Sequence, residues 1–333
     1  MKISQIVLAS RPSGIPTVEN FRTEEVELNE PAVDSVLLKP LFISVDPYMR
    51  GRMNDAKSYV PPFQVDKPID GGIVATVVES KSSLYKVGDT VVGNLPWATN
   101  CVEKADRLRK VDITSIPAGY YLGVLGMPGL TAYVGLVAIA KPKAGETVVV
   151  SGAAGAVGII VGQIAKIYGC HVVGIAGTDE KCKMLKEEFG FDDAVNYKTS
   201  QNLKKDIAEL CPKGVDIYFD NVGGDISDAV ISNINFNARI ALCGQIALYN
   251  STSQPIGPRL LPMLLTRSVL VQGFINGDYK AIFPEAYKNL IAWVDDGKIK
   301  YKQTIIHGFD KLPEAFFGLF SGANEGKMLV QVD

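Results

Sequence analysis

Apolar and polar positions follow two different rhythms along the chain. Across the first 120 or so residues, short β-like runs are broken by proline and glycine. Residues 35–43, 73–78 and 90–92 are examples, and Gly88-Asp89 makes a turn ahead of the last. This texture predicts a partly open β-barrel or sheet domain. From about residue 145, apolar strand-like and amphipathic helix-like segments alternate. Strands are predicted at 148–150, 171–175, 193–196, 215–219 and 239–243. Helices fall between them at 156–168, 180–189, 203–210 and 226–231. Strands alternating with helices at this spacing mean βαβ units and a parallel sheet. A further helix is predicted at 282–296. The β character then returns at 303–306, followed by a short helix at 313–320 and a last strand at 327–332. The fold class is therefore α/β. There is no internal repeat and no low-complexity tract.

Two uncharged runs, 116–140 and 147–165, are long enough to suggest membrane spans. The first is interrupted by Pro117, Pro128 and five glycines, and the second contains Ser-Gly-Ala-Ala-Gly-Ala-Val-Gly. Buried strands and a buried helix with a tight glycine turn explain both better. The N-terminus has only a short apolar stretch, 3–9, without the long apolar region of a signal peptide. A cytoplasmic protein with no membrane partner is expected.

Composition narrows the chemistry. At 333 residues, 47% apolar and 21% charged, the chain can bury a core in about two domains. A net charge of −2 gives no reason to expect a nucleic-acid partner. Five cysteines without a CxxC fit a reducing compartment. Only two histidines are present, His171 and His307, and no cysteine cluster compensates. A catalytic zinc wants three protein ligands, so no metal site is expected, and a Ser/His/Asp hydrolase is a poor fit.

The strongest chemical signal is Thr147–Ser151 running into Gly152-Ala153-Ala154-Gly155-Ala156-Val157-Gly158. Gly152 permits a tight turn off the strand. Gly155 lets backbone amides approach a pyrophosphate, and Gly158 lets the helix pack against the sheet. The anion then sits on the helix N-terminus. The spacing is GxxGxxG, so its weight comes from the strand before it and the βαβ repeats after it. The second strand ends at Gly177 without the acid that accepts from an NAD ribose. Thr178 and Lys181 follow at once, a hydroxyl and an ammonium suited to a 2′-phosphate. Asp179 and Glu180 are explained as N-terminal charges on the next helix. NADPH is favoured over NADH.

Further segments join the glycine turn in a recognisable order. They are Val45-Asp46-Pro47-Tyr48-Met49-Arg50, Gly126-Met127-Pro128-Gly129-Leu130-Thr131-Ala132-Tyr133, Asp220-Asn221-Val222-Gly223-Gly224, and Gly326-Lys327 after Asn324. Over essentially its whole length the chain resembles the zinc-independent medium-chain dehydrogenase/reductase superfamily. Within it, the similarity is to the leukotriene B4 12-hydroxydehydrogenase/prostaglandin reductase family and its alkenal double-bond reductases. The resemblance implies a GroES-like β-barrel catalytic domain, residues 1–123 and 303–333, around a Rossmann NADP-binding domain, residues 124–302. It implies a substrate cleft between the domains, an NADP(H) cofactor, a homodimer and a small-molecule enal or enone substrate.

Carried over by motif, Gly152, Ala154, Gly155, Ala156 and Val157 should face the pyrophosphate, and Thr178 and Lys181 the 2′-phosphate. Tyr197 should help cover the adenosine part and Asn221 contact the cofactor near the nicotinamide ribose. Met127 and Thr131 should line the nicotinamide pocket, with Phe274 and Asn276 alongside. Asn324 matches a late cofactor contact. Tyr249 matches a tyrosine near the cofactor phosphates and substrate cleft, and Tyr48 falls at the substrate cleft. Several family members carry a tyrosine about eight residues before the phenylalanine of the nicotinamide loop; here that position falls near Thr266, a poor acid. Tyr48 and Tyr249 are therefore the candidate catalytic hydroxyls, with the nicotinamide ribose 2′-OH as another source of the proton. The expected reaction is NADPH-dependent reduction of a C=C bond conjugated to a carbonyl. Quinone reduction and zinc-free secondary-alcohol oxidation remain open, as does a dinucleotide-binding sensor.

Overall fold

The computed structural model describes residues 1–332. The chain divides into two compact units. One is Met1–Gly123 together with the chain from Gln303 onward, and the other is Val124–Lys302.

The first unit is built mostly on antiparallel strands, with one parallel pair at the edge of its larger sheet. β1 (Lys2–Leu8) and β2 (Phe21–Glu27) form a two-stranded sheet. Four of the seven β2 residues are charged, so alternation gives no apolar signal there, and only its first residue, Phe21, is buried. The larger sheet contains β3 (Ser35–Ser44), β4 (Asp70–Ser80), β5 (Thr90–Pro96), β6 (Cys101–Lys104) and β7 (Arg109–Val111). It is completed by β14 (Gln303–His307) and β15 (Lys327–Gln331), in the order β14-β15-β3-β4-β5-β7 with β6 also on β3. β4 and β5 run well past the expected 73–78 and 90–92. Short helix α1 (Met49–Arg52) follows β3, and α9 (Leu312–Ser321) covers the core until Gly322 ends it in the left-handed region. That core joins Leu8, Leu38, Ile43 and Ile73 to Trp97 and Phe316, all fully buried. Phe21 stacks on Trp97 at 6.4 Å and meets Phe316 edge-on at 6.3 Å.

The second unit is a parallel six-stranded sheet. Its strands are β8 (Thr147–Ser151), β9 (His171–Ala176), β10 (Asp193–Asn196), β11 (Val215–Asp220), β12 (Ile234–Leu242) and β13 (Leu270–Gly273). Their order is β10-β9-β8-β11-β12-β13, a doubly wound arrangement whose direction of winding reverses between β8 and β11. α2 (Met127–Tyr133) precedes the sheet. The helices between strands are α3 (Gly158–Ile167), α4 (Asp179–Phe189), α5 (Leu203–Leu210), α6 (Gly224–Ile231) and α7 (Leu261–Thr266), and α8 (Phe283–Asp295) follows β13. β8 is buried along its whole length, as a central parallel strand must be. α3 lies so close to Phe191 that a Cβ on Gly162 would fall 1.9 Å from its ring.

One expectation is corrected. Run 116–140 is not made of buried strands. It forms a 3-10 turn (Ala118–Leu122), then α2, then a π-helical turn (Val134–Ala140) that ends at Lys141 with φ of +52°. Buried on nearly every side, it shows no amphipathic period to mark it as helix. β13 and α7 were not expected at all. Among the described residues, no helix is long and apolar enough to cross a membrane. All five cysteines are free thiols.

Candidate cofactor and active site

The carboxyl ends of the parallel strands gather most of the candidate residues. At the end of β8, Gly152 has φ of +57°, a conformation that costs a residue with a side chain. The Gly155 N–H donates to Gly152 O at 3.0 Å, closing the turn on itself. That amide is therefore part of the cradle's frame. A Cβ on Gly158 would lie 2.4 Å from Gly152 O and 2.6 Å from Ala153 Cα. Its glycine thus serves the close approach of helix to turn, where the sequence suggested helix to sheet. α3, a ten-residue helix, begins directly behind Ala154, Ala156 and Val157. Its N-terminal dipole and this side-chain-poor turn form the kind of cradle a pyrophosphate fits.

The next turn, after β11, is held by a residue to which the sequence reading gave no role. Asp220 is buried and its carboxylate accepts six hydrogen bonds. Oδ1 takes the Ser151 hydroxyl at 3.1 Å, the Tyr218 hydroxyl at 2.9 Å, and the Val222 and Gly223 amides at 3.0 and 2.9 Å. Oδ2 takes the Ser227 hydroxyl at 2.7 Å and Gln245 Nε2 at 2.8 Å. The carboxylate, an acceptor only, thereby joins the ends of β8, β11 and β12. Asn221 is fixed beside it: its backbone N–H donates to Ser151 Oγ at 2.9 Å and its side-chain amide to Ser151 O at 2.7 Å. Gly223 and Gly224 both have positive φ. Tyr249 closes this group, its hydroxyl accepting the Gln245 N–H at 3.2 Å. Burial raises the Tyr249 phenol above its ordinary value. The only sequence signal for Asp220 was its place between an apolar strand and Asn-Val-Gly-Gly.

At the ends of β9 and β10 stand Thr178, Lys181 and Tyr197. Thr178 is the N-cap of α4, its hydroxyl accepting the Lys181 N–H at 3.2 Å while keeping its own proton to donate. Asp179 and Glu180 lie in the first turn, and Asn196 holds Asp179 at 2.8 Å. Tyr197 and Lys198 crowd Gly177, where a Cβ would meet them at 3.2 and 3.3 Å. Lys198 is therefore a second ammonium near this strand end, unassigned from the sequence although it follows Tyr197. A neutral strand end with a hydroxyl and two lysines fits a 2′-phosphate.

Beyond β13, Asn276 reaches α2. Its amide donates to Thr131 Oγ1 at 3.1 Å and to Met127 O at 3.4 Å. Its Oδ1 is buried with no hydrogen-bond partner among the described residues. A buried acceptor without a donor is costly, and an amide N–H of a bound group would relieve it. Phe274 packs edge-on against Phe219 and Tyr279. The residues present therefore fit a dinucleotide with a carboxamide end and a 2′-phosphate.

Tyr48 and Asn324 belong to the other unit. The Asn324 amide donates to Gly326 O at 2.8 Å, shaping the turn before β15. Tyr48 is the N-cap of α1. Burial, then the nearby Asp46 carboxylate, push its phenol well above the ordinary tyrosine range, and Arg52 opposes them. Among the described residues, no three His, Cys, Asp or Glu side chains converge as a metal site. His171 Nε2 contacts Leu210 O at 3.1 Å, and His307 ends β14.

Residues 4–111 match a family described as the N-terminal domain of oxidoreductase, and 156–296 one described as zinc-binding dehydrogenase. The chain is 54% identical to the putative NADP-dependent oxidoreductase YfmJ of Bacillus subtilis, covering 98% of this chain and 97% of that one. It is 42% identical to the NADP+-dependent 2-alkenal reductase of Nicotiana tabacum, over 98% of this chain and 97% of that one. Among solved structures it is similar to CurA from Vibrio vulnificus in complex with NADPH, with a TM-score of 0.95, 43% identity and 99% of each chain covered. On fold, motifs and relatives together, the chain belongs to the zinc-independent medium-chain dehydrogenase/reductase family of oxidoreductases.

Proposed function

We propose that the protein uses NADPH to reduce the C=C bond of α,β-unsaturated aldehydes and ketones. The observation that carries this reading is the pairing of an acid-free, lysine-flanked end of β9 with a relative, 42% identical across nearly the whole chain, named a 2-alkenal reductase. In this reading Val124–Lys302 is the NADP-binding unit and the remainder is the catalytic unit. Gly152, Ala154, Gly155, Ala156, Val157 and Asn221 would hold the pyrophosphate and ribose region. Thr178, Lys181 and Tyr197 would hold the adenosine phosphate end. Met127, Thr131, Phe274 and Asn276 would hold the nicotinamide end, with Asn324 as a further contact. When bound, NADPH supplies the hydride that the substrate's β-carbon accepts.

The chain's own contribution is to bind the substrate and to manage the negative charge that develops on the carbonyl oxygen. Tyr48 and Tyr249 are the candidate hydroxyls. Both phenols are raised, so both stay protonated at neutral pH and act as hydrogen-bond donors rather than bases. Tyr249 already accepts a backbone N–H, which leaves its proton free to donate. A raised phenol gives up its proton reluctantly. These hydroxyls therefore suit stabilising an enolate oxygen better than protonating the α-carbon.

The same reading makes the protein a homodimer of a reducing compartment, the cytoplasm. The edge strand β13 supports the dimer, because Leu270 and Val271 are exposed there beside exposed Leu261 and Leu265 of α7. The test of activity is NADPH consumption with trans-2-alkenals, enones and quinones, with product analysis. A saturated carbonyl product is expected. No turnover of any alkenal or enone, or a hydroquinone or alcohol as the main product, would sink the reading.

A further inference from the structure

Lys327 is the one fully buried lysine among the described residues, 1% exposed at the first position of β15. The three residues after it, Met328, Leu329 and Val330, are buried and apolar. Its ammonium donates to Val45 O at 2.8 Å and to Asp46 Oδ1 at 2.7 Å. The other Asp46 oxygen, Oδ2, takes the Ser44 hydroxyl. Burying such a pair is expensive, and a well-packed apolar pair of similar volume is often as stable or more so. Stability alone is therefore a weak reason for an ammonium here.

Its location gives a better one. Val45 and Asp46 immediately precede Pro47-Tyr48, and Asp46 O accepts the Met49 N–H that opens α1. Tyr48 rides between two anchors. Lys327 holds the chain before it. After it, buried Arg50 donates to Gly14 O at 2.9 Å and Asn54 Oδ1 at 2.7 Å, while Arg52 pairs with Asp70. The charged or titratable groups that act on the Tyr48 phenol are Asp46, Arg52, Asp70 and Tyr59, and Asp46 is the strongest of them. Lys327 is the cation in contact with that carboxylate.

We propose that Lys327 is a positioning residue for the reaction: by gripping Val45 O and Asp46 it sets the turn that carries the Tyr48 hydroxyl. This rests on the reading that Tyr48 serves the substrate. Lys327 touches neither substrate nor cofactor in this role, so its removal acts only through Tyr48.

The experiment is a double-mutant cycle on the full-length enzyme with NADPH and trans-2-nonenal. Lys327→Met is expected to lower kcat about tenfold or more while NADPH KM stays within about twofold, and to add less than about twofold when Tyr48→Phe is already present. An unchanged kcat, or the same loss with and without the Tyr48 hydroxyl, overturns the proposal. If Lys327→Met does not give folded protein, the charge-free pair Asp46→Asn/Lys327→Met is put through the same cycle and judged by the same outcomes. Tyr48→Phe alone separates the two readings. If it leaves kcat intact, the role of Tyr48 falls and this inference with it. If it lowers kcat while the Lys327 variants remain additive with it, only this inference falls.

Discussion

At the scale of single residues, the cofactor preference turns on few charges. Lys181 lies four residues past Gly177 on the first turn of α4, and Lys198 lies over the same strand end. Lys181→Ala should weaken NADPH binding about tenfold, roughly 1.4 kcal/mol, and leave NADH within about twofold, because only NADPH carries the extra phosphate. Calorimetric titration with both dinucleotides checks this, and equal weakening of the two would remove Lys181 from the site. Residues of this kind were legible in the sequence because a strand end and a missing acid are local facts. Asp220 was not legible as a hub. Its six donors come from Ser151, Tyr218, Val222, Gly223, Ser227 and Gln245, and positions 151 and 245 reach it only through the order of the sheet. Lys327 stands out in the sequence only as part of a closing motif, since a lone lysine in an apolar strand looks like an edge residue until its partner 281 positions away is seen.

At the scale of elements, β8 to β12 and their helices were readable because apolar strands and amphipathic helices alternate with turn residues between them. The run 116–140 misled for the opposite reason. Without polar positions, a buried helix and a buried strand look alike. β13, only four residues long and exposed, carried too little signal to separate from loop. One ion pair ties several of these elements together. Glu146, just before β8, receives Arg239 of β12 at 2.9 and 2.6 Å, and Arg239 also donates to Ala140 O at the end of the π-helical turn. Burial alone would raise the Glu146 carboxyl. The Arg239 hydrogen bonds and the Lys143 amide outweigh it and hold the carboxyl below its ordinary value. A carboxyl depressed in the folded state stabilises above its unfolded pKa, and that contribution is lost as pH falls through the folded pKa. Glu146→Gln should therefore destabilise the protein by about 1–3 kcal/mol at pH 7, with the gap to the parent narrowing as the pH drops below the usual carboxylate range. Urea unfolding midpoints at pH 7 and at pH 4 check it, and a gap that is constant or widens in acid contradicts it.

At the scale of the whole molecule, the unpaired edge of the parallel sheet is the feature with the clearest consequence for assembly. β12 pairs with β13 on one side, and among the described residues no strand lies on the other side of β13. An exposed, apolar edge invites a second copy, and a two-fold axis there would let each β13 extend the other's sheet. Light scattering should give twice the 35.9 kDa chain mass for the parent and a single-chain mass for Leu265→Glu/Val271→Glu. A parent already at the single-chain mass would rule out the dimer.

The segments on either side of Val124–Lys302 also lie in one unit, with β15 seated against β3. The order of synthesis then matters. On the ribosome, Val124–Lys302 emerges complete and can collapse while its host still lacks two strands. Asp46 is made early and receives its cation only when Lys327 leaves the exit tunnel, 281 residues later. At about 5–20 residues per second, that is an interval of tens of seconds. For that time Asp46 has no counter-charge, and it is the arrival of β15 that supplies one.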